Sequence, residues 1–268
     1  MSTQPIGIFD SGLGGLSVWR EVQRLLPYES ILYYGDSGRC PYGPRPAADI
    51  RTFSTEITQY LVAQGCKLIV VACNTATGAA IAHLRAHFPL PFVGMEPAIK
   101  PAAIHTLSGV IGVLATRGTF AAAHFQRTRE RHASDREVLV QEGDGLVELV
   151  ESGRAESPEA TALLRHYLDP MLAAGADQVV LGCTHYPFLR EPIEQILGER
   201  ARIIDPAPAV ARQVVRVLDQ AGLLAPAGQE PHYRFVTSGE KPPMEDLLGT
   251  ILPAGLTYTI ETKRMDSS

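Results

Sequence analysis

Short apolar runs alternate with helix-spaced apolar residues along this chain, and this alternation restricts the fold more than any other feature. Residues 68–71 form an uninterrupted apolar run, as expected of a strand buried on both faces of a parallel sheet. Just before it, Ile50, Phe53 and Ile57 recur at the spacing of one helix face. Strands and helices that alternate in this way form a parallel sheet with helices on both faces. The sequence therefore predicts an α/β fold.

The alternation starts again in the middle of the chain and yields more strands than one sheet comfortably holds. We expect two similar parallel-sheet α/β domains. Residues 1–96 and 206–268 would form the first domain, and residues 97–205 would form the second. The crossings would lie at Glu96-Pro97 and Asp205-Pro206, because a residue before proline is disfavoured in a helix.

Two cysteines follow apolar runs in the same way, one in each predicted domain. Cys73 comes after residues 68–71, and Cys183 comes after residues 179–181 and a glycine. Both would lie at the carboxyl end of a parallel strand, where α/β proteins place their ligands, and just before a helix, whose N-terminus lowers a thiol pKa. A free cysteine is more often a small buried apolar residue, which is our interpretation of Cys66. Cys40 is left open.

Composition excludes several classes of protein. The 24 Lys and Arg are scattered and are outnumbered by 29 Asp and Glu, giving a net charge of −5, which argues against a nucleic-acid surface. No apolar run approaches the roughly 20 residues that span a bilayer, and the N-terminus does not resemble a signal peptide. We therefore expect a cytoplasmic protein with reduced thiols. The four cysteines form no Cys-x-x-Cys pair, which argues against a structural zinc site.

Two loops are candidate ligand contacts. Asp10 and Ser11 open a glycine-rich turn between a predicted strand and a helix. Such a turn either binds an anion through its N–H groups or is only a tight connection, and an acidic residue there suits an ammonium group better than a phosphate. Tyr42 and Gly43 lie in a proline-rich loop that is either a stiff connection or a cover that offers N–H groups to a small substrate.

A matched pair of thiols suggests a specific chemistry. Cys183 with His185 alone would fit acyl transfer by a nucleophilic cysteine, but Cys73 would then be superfluous. Two acid/base groups on opposite faces of one carbon can instead remove a proton from one side and return it to the other. This second interpretation uses both cysteines and predicts stereoinversion.

With these motifs assembled, the chain resembles the glutamate racemases of the aspartate/glutamate racemase superfamily over nearly its whole length. The motifs that carry the resemblance are residues 9–15, 41–43, 72–76, 94–98, 112–116 and 181–187. The resemblance implies two α/β domains with the active site in the cleft between them. It also implies cofactor-independent interconversion of L- and D-glutamate, which supplies D-glutamate for peptidoglycan.

The resemblance also implies roles for individual residues. The paired acid/base residues would be Cys73 and Cys183, assisted by Asp10 and His185, with Glu151 as a further helper near the second cysteine. The substrate contacts would be Asp10, Ser11, Tyr42, Gly43, Asn74, Thr75, Thr184 and His185. Glutamate would be the partner, with no cofactor, metal, nucleic acid or membrane, and the family's habit of dimerising makes a homodimer a candidate assembly.

Two departures from the family pattern accompany this resemblance. Residues 142–145 stand where a Cys-Pro pair is common, so Glu151 is assigned from residues 149–151 alone, and Asp205-Pro206-Ala207 replaces an Asp-Ser-Ala segment. Three alternatives stay open at this point: a racemase for aspartate or another amino acid, a cysteine hydrolase that uses Cys183 and His185, and a non-catalytic amino-acid-binding module.

Overall fold

The computed structural model describes residues 1–253 and 255–265, and their strands form two sheets. The strands are β1 (Ile6–Asp10), β2 (Ile31–Gly35), β3 (Leu68–Val71), β4 (Phe92–Gly94), β5 (Val110–Ala115), β6 (Glu137–Glu142), β7 (Gln178–Gly182), β8 (Arg202–Ile204), β9 (Tyr233–Thr237) and β10 (Tyr258–Thr262). The first sheet has the order β10-β9-β2-β1-β3-β4 and the second β6-β5-β7-β8. All neighbouring strands run parallel.

Helices connect these strands. They are α1 (Leu16–Leu25), α2 (Ala47–Ala63), α3 (Asn74–His87), α4 (Ile99–His105), α5 (Arg117–Ala121), α6 (Ala123–His132), α7 (Leu146–Glu151), α8 (Pro158–Ala173), α9 (Arg190–Leu197), α10 (Ala207–Gln220) and α11 (Lys241–Ile251). Short 3₁₀ turns occupy Ser37–Arg39 and Tyr186–Leu189. Over the described residues, none of the helices combines the length and the apolar composition needed to cross a bilayer.

The prediction of two parallel-sheet α/β domains is confirmed. The chain leaves the first sheet after β4, builds the second sheet from β5 to β8, and returns to the first sheet with β9 and β10. The crossings at Glu96-Pro97 and Asp205-Pro206 remain a prediction.

Aromatic packing holds the returning strands on the first sheet. The Trp19 ring of α1 lies 5.4 Å from the Tyr233 ring and 5.1 Å from the Phe235 ring, measured between centroids. All three side chains are buried, and α1 also packs along α10. Large aromatic side chains contribute strongly to a core because each removes a large apolar area from water. Residues far apart in the sequence therefore share one core.

The strand register brings the candidate catalytic residues to the carboxyl edges of the two sheets. Phe9 of β1 is the neighbour of Val71 in β3, so Asp10 and Cys73 emerge at the same edge of the first sheet. In the second sheet, Ala115 of β5 is the neighbour of Gly182, which directly precedes Cys183. Since parallel strands bring their carboxyl ends to one edge, each sheet presents one cysteine at the edge where ligands bind.

Candidate active site

A small cavity brings both cysteines together. It is lined by residues that follow strands of both sheets: Ser11, Pro41, Tyr42, Gly43, Cys73, Asn74, Thr75, Thr116, Val147, Gly182, Cys183, Thr184 and His185. Its free volume is about 20 Å³, which is space for about one water molecule. Every substrate contact predicted from the sequence lines this cavity except Asp10, which is fully buried.

Cys73 occupies the N-cap of α3 in a fully buried environment. Its Sγ accepts a hydrogen bond from the N–H of Ala76 at 3.4 Å, and its thiol lies 3.7 Å from the hydroxyl oxygen of Ser11. Burial raises the pKa of the thiol to about 12, and the charge of Asp10 adds to the rise. The expectation that the helix N-terminus lowers this pKa is wrong for Cys73, because the cost of burying a thiolate outweighs one N–H donor.

Cys183 lies next to a buried chain of hydrogen bonds. Its Sγ is 3.7 Å from Nδ1 of His185, whose Nε2 is 2.6 Å from Oε1 of Glu151. Burial alone would lower the pKa of His185, but hydrogen bonds with Cys183, Cys40 and Glu151 raise it well above its ordinary value. Burial likewise opposes ionisation of Glu151, but its bond to His185 keeps its pKa below the ordinary range. Both shifts favour a charged pair, an imidazolium beside a carboxylate, and the N–H of Gly14 lies 3.2 Å from the same Nε2.

Asp10 makes hydrogen bonds to both halves of the site. Its Oδ2 accepts the N–H groups of Gly12 and Gly15 at 3.1 and 3.0 Å, and its Oδ1 accepts the hydroxyl of Thr184 at 3.2 Å. Burial raises the pKa of Asp10, while the charge of His185 and the two N–H donors oppose the rise. The carboxylate thus ties the first loop of one domain to the residue that follows Cys183 in the other.

The glycines of the first loop are explained by close packing. A Cβ atom on Gly12 would overlap the carboxylate of Glu151, and one on Gly14 would overlap the ring of His185. Leu13 donates its N–H to Oε1 of Glu151 at 2.5 Å. The glycine-rich turn therefore makes room for the His185–Glu151 pair of the opposite domain.

The rest of the cavity wall carries side chains that can donate hydrogen bonds to a carboxylate. Asn74 is 7% exposed, and its amide nitrogen has no hydrogen-bond partner among the described residues. A buried donor without a partner is rare in folded proteins and indicates a missing ligand. Thr75 lies next to it, and its hydroxyl oxygen is 2.9 Å from that of Thr116.

The loop that carries Tyr42 and Gly43 covers the cavity. The Tyr42 hydroxyl donates to the buried carboxylate of Asp36, which also accepts from Arg39 at 2.7 Å and from Ser238 at 2.7 Å. Within the described residues, the N–H groups of Tyr42 and Gly43 donate no hydrogen bond. The Tyr42 side chain therefore anchors the loop, and its backbone offers two donors.

Comparison with known proteins agrees with this arrangement. The family model described as Asp/Glu/Hydantoin racemase matches residues 6–214. The chain belongs to this family. A glutamate racemase from Herpetosiphon aurantiacus is 50% identical over 240 residues, covering 90% of this chain and 94% of the relative.

Two solved structures within the family extend over the whole fold. The Escherichia coli glutamate racemase, in complex with L-glutamate and the activator UDP-MurNAc-Ala, superimposes with a TM-score of 0.85 at 33% identity, covering 98% of this chain and 100% of the other. The Francisella tularensis glutamate racemase, in complex with D-glutamate, gives 0.84 at 26% identity, covering 100% of both chains. The sequence-based resemblance is thus confirmed, and the chain is an amino-acid racemase, an isomerase.

Two residues of this racemase site were missed or left open from the sequence. Thr116 lines the cavity, and its position directly after a strand, like that of both cysteines, was the available signal. Cys40 lies with Glu151 and His185 in a cluster whose ligand-type atoms are all within 4.8 Å of one another. Nothing in the sequence relates Cys40 to residues more than 100 positions away.

Proposed function

We propose that this chain interconverts L- and D-glutamate without a cofactor, with Cys73 and Cys183 as the acid/base pair. The observation that carries the proposal is that both thiols line one cavity together with donors for carboxylates. Solved relatives that hold L-glutamate or D-glutamate support glutamate as the substrate.

The site has a group for each charge of glutamate. Asn74, Thr75 and the N–H of Thr184 offer donors to the main-chain carboxylate, and the N–H groups of Tyr42 and Gly43 offer donors to the side-chain carboxylate. Ser11 offers an acceptor for the ammonium group, and the buried Asp10 next to it in the chain adds negative charge. A substrate fixed at several points presents its Cα–H to one thiol and the opposite face of Cα to the other.

Proton transfer then needs one thiolate and one thiol. The thiolate removes the Cα proton, the carbanion flattens, and the opposite thiol donates its proton to the other face. The imidazolium of His185, 3.7 Å from Cys183 Sγ, stabilises a thiolate there, and Glu151 holds that imidazolium in place. Cys73, whose pKa is raised to about 12 by burial, supplies the proton. In one direction of the reaction Cys183 is the base and Cys73 the acid, and in the reverse direction the two roles are exchanged.

A carbanion at Cα is very high in energy, so the site has to stabilise it while keeping water out. The cavity of about 20 Å³ achieves the exclusion but is too small for an amino acid. Since its walls come from both domains, we expect the domains to separate for substrate entry and to close for chemistry.

Deuterium exchange with each cysteine replaced tests this mechanism. In D₂O, the unmodified enzyme should place deuterium at Cα of the product enantiomer. Cys73→Ser and Cys183→Ser should each slow racemisation by at least about a hundred-fold, since each removes one acid/base group. Each variant should still exchange the Cα–H of one enantiomer, and the two variants should select opposite enantiomers. Cys66→Ser, a buried thiol outside the cavity, is the matched control and should behave like the unmodified enzyme.

The same experiment separates the alternatives. A cysteine hydrolase would need Cys183 and His185 but not Cys73, so full activity of Cys73→Ser would contradict the two-base mechanism. Binding of glutamate without any exchange at Cα would indicate a non-catalytic module. Turnover of aspartate but not glutamate would refute the proposed substrate.

We further propose that the enzyme works in the cytoplasm and supplies D-glutamate for peptidoglycan. Depletion of the protein in its host should then create a growth requirement for D-glutamate. Growth without added D-glutamate would contradict this role, unless a second source of D-glutamate were found in the same cells. We also propose that the protein forms a homodimer, so sedimentation of the purified protein should give twice the mass of one chain, and a monomer would contradict this.

A further inference from the structure

Cys40 is a free, half-buried cysteine that the proposed mechanism does not use. It follows the 3₁₀ turn Ser37–Arg39 and directly precedes the cavity-lining residues Pro41, Tyr42 and Gly43. Its Sγ, a carboxylate oxygen of Glu151 and a ring nitrogen of His185 are all within 4.8 Å of one another. Three different ligand types, contributed by three separate segments, thus converge on one point.

We propose that Cys40, Glu151 and His185 form an inhibitory Zn²⁺ site. The bound ion coordinates His185, which then no longer assists Cys183. The binding of zinc is independent of the reaction, whereas the inhibition rests on the proposed function.

The donor set fits zinc. Zn²⁺ is bound by thiolate, imidazole and carboxylate, and a site with three protein ligands keeps its fourth position for water. Zinc–ligand bonds of about 2.0–2.3 Å place tetrahedral ligand atoms roughly 3.3–3.7 Å apart. The Nε2 of His185 and Oε1 of Glu151 are now 2.6 Å apart, as a shared proton requires, so an ion would replace that proton and separate them slightly.

The surroundings orient the ligands. Leu13 donates its N–H to Oε1 of Glu151, and the Ser37 hydroxyl donates to Oε2 at 3.3 Å. Such outer contacts hold a ligating carboxylate in position. When the ion binds, the Cys40 thiol loses its proton to solvent and becomes a thiolate ligand.

One ligand of the cluster also lines a separate groove. Glu151 also lines a groove of about 520 Å³ between the end of α7 and helix α11, and Glu156 and Asp246 lie along the same groove. Their negative charges attract a cation toward Glu151. A cation in this groove therefore meets the Glu151 carboxylate outside the small catalytic cavity.

Two consequences follow from the position of the ion. Zinc on His185 and Glu151 breaks the hydrogen bond between them that holds the His185 ring beside Cys183 Sγ. The ion also joins Cys40, which follows β2 of the first sheet, to Glu151 and His185, which follow β6 and β7 of the second. It thereby holds the two domains together and opposes the opening needed for substrate exchange.

Metal binding to the full-length protein without substrate tests the site directly. Equilibrium dialysis should show one Zn²⁺ per chain, and Co²⁺ in its place should give a thiolate-to-cobalt charge-transfer absorption. Cys40→Ser should abolish this absorption and weaken zinc binding by at least about ten-fold. Cys66→Ser is the matched control and should retain both, while Mg²⁺ should not compete.

Racemase rates complete the test, with each variant compared to its own zinc-free rate. Zinc should inhibit the unmodified enzyme reversibly, with activity restored by a chelator, and Cys40→Ser should be at least about ten-fold less sensitive. Zinc binding of equal strength in Cys40→Ser would overturn the proposal, as would a cobalt absorption removed only by Cys73→Ser or Cys183→Ser. Because dialysis and absorption need no turnover, failure of the site is distinguishable from failure of the proposed reaction.

Discussion

Replacing Glu151 by glutamine isolates the charge that supports His185. The carboxylate lies 2.6 Å from His185 Nε2, and the two side chains are 18% and 1% exposed. Glutamine keeps the size and one acceptor oxygen of the side chain but removes the negative charge. The variant should therefore fold normally while leaving a buried imidazolium without its counter-ion.

The size of the effect follows from this geometry. A hydrogen bond to a charged group is worth about 1.5–3 kcal/mol, and the low exposure of both partners leaves little screening by solvent. If that energy supports the Cys183 thiolate during reaction, kcat/KM should fall by about ten- to a hundred-fold. Since the two enantiomers have equal free energy, kcat/KM must fall by the same factor in both directions, whereas kcat and KM for each direction are free to differ.

The assay is the initial rate from each enantiomer, followed by circular dichroism over a range of pH. Loss of the carboxylate lowers the pKa of His185, so the alkaline limb of the kcat/KM profile should move to lower pH. Glu148→Gln changes an exposed carboxylate on the same helix and should leave the profile unchanged. A Glu151→Gln enzyme with the unmodified kcat/KM at every pH would refute the reasoning.

Three further predictions concern pH, reactivity and stability. The contribution of the Glu151–His185 pair to unfolding free energy, taken as the difference from Glu151→Gln in urea titrations, should be greatest between pH 4.5 and 6.5. It should decline below pH 4.5 toward the lowered pKa of Glu151 and above pH 6.5 toward the raised pKa of His185. At pH 8, Cys73 should alkylate at least roughly a thousand-fold more slowly in the native protein than in urea, because burial raises its pKa from 9.0 to about 12; similar rates by mass spectrometry would contradict that value. Lys67→Met should cost about 3–5 kcal/mol in urea unfolding because it strands the buried Glu29 carboxylate 2.6 Å from Lys67 Nζ, and adding Glu29→Leu should recover much of the loss.

The local sequence was sufficient to predict which candidate site residues lie at the ends of strands. Cys73 and Cys183 follow short apolar strands, and the rule that parallel strands gather their carboxyl ends places them at sheet edges. The alternation of strands and helices also predicted the two sheets. These inferences succeeded because they need only periodicity and chain direction.

Contacts between the domains could not be predicted from the sequence. The need for glycine at position 12 comes from the Glu151 carboxylate, and at position 14 from the His185 ring. The high pKa of Cys73 arises from its burial at the meeting of both domains, which a helix N-terminus alone does not reveal. Such effects depend on packing between residues more than 100 positions apart.

The unequal surroundings of the two thiols have a consequence for the proposed catalysis. Cys183 has the His185 ring at 3.7 Å, whereas the hydrogen-bond partners of Cys73 are the N–H of Ala76 and the hydroxyl of Ser11. After one inversion the proton has moved from Cys73 to Cys183, which leaves the thiolate where stabilisation is weaker. The enzyme must then return a proton to Cys73 before it repeats the reaction in the same direction. Since the closed cavity admits about one water, this return is easiest when the domains open, so product release and recovery of the starting protonation state should share one step.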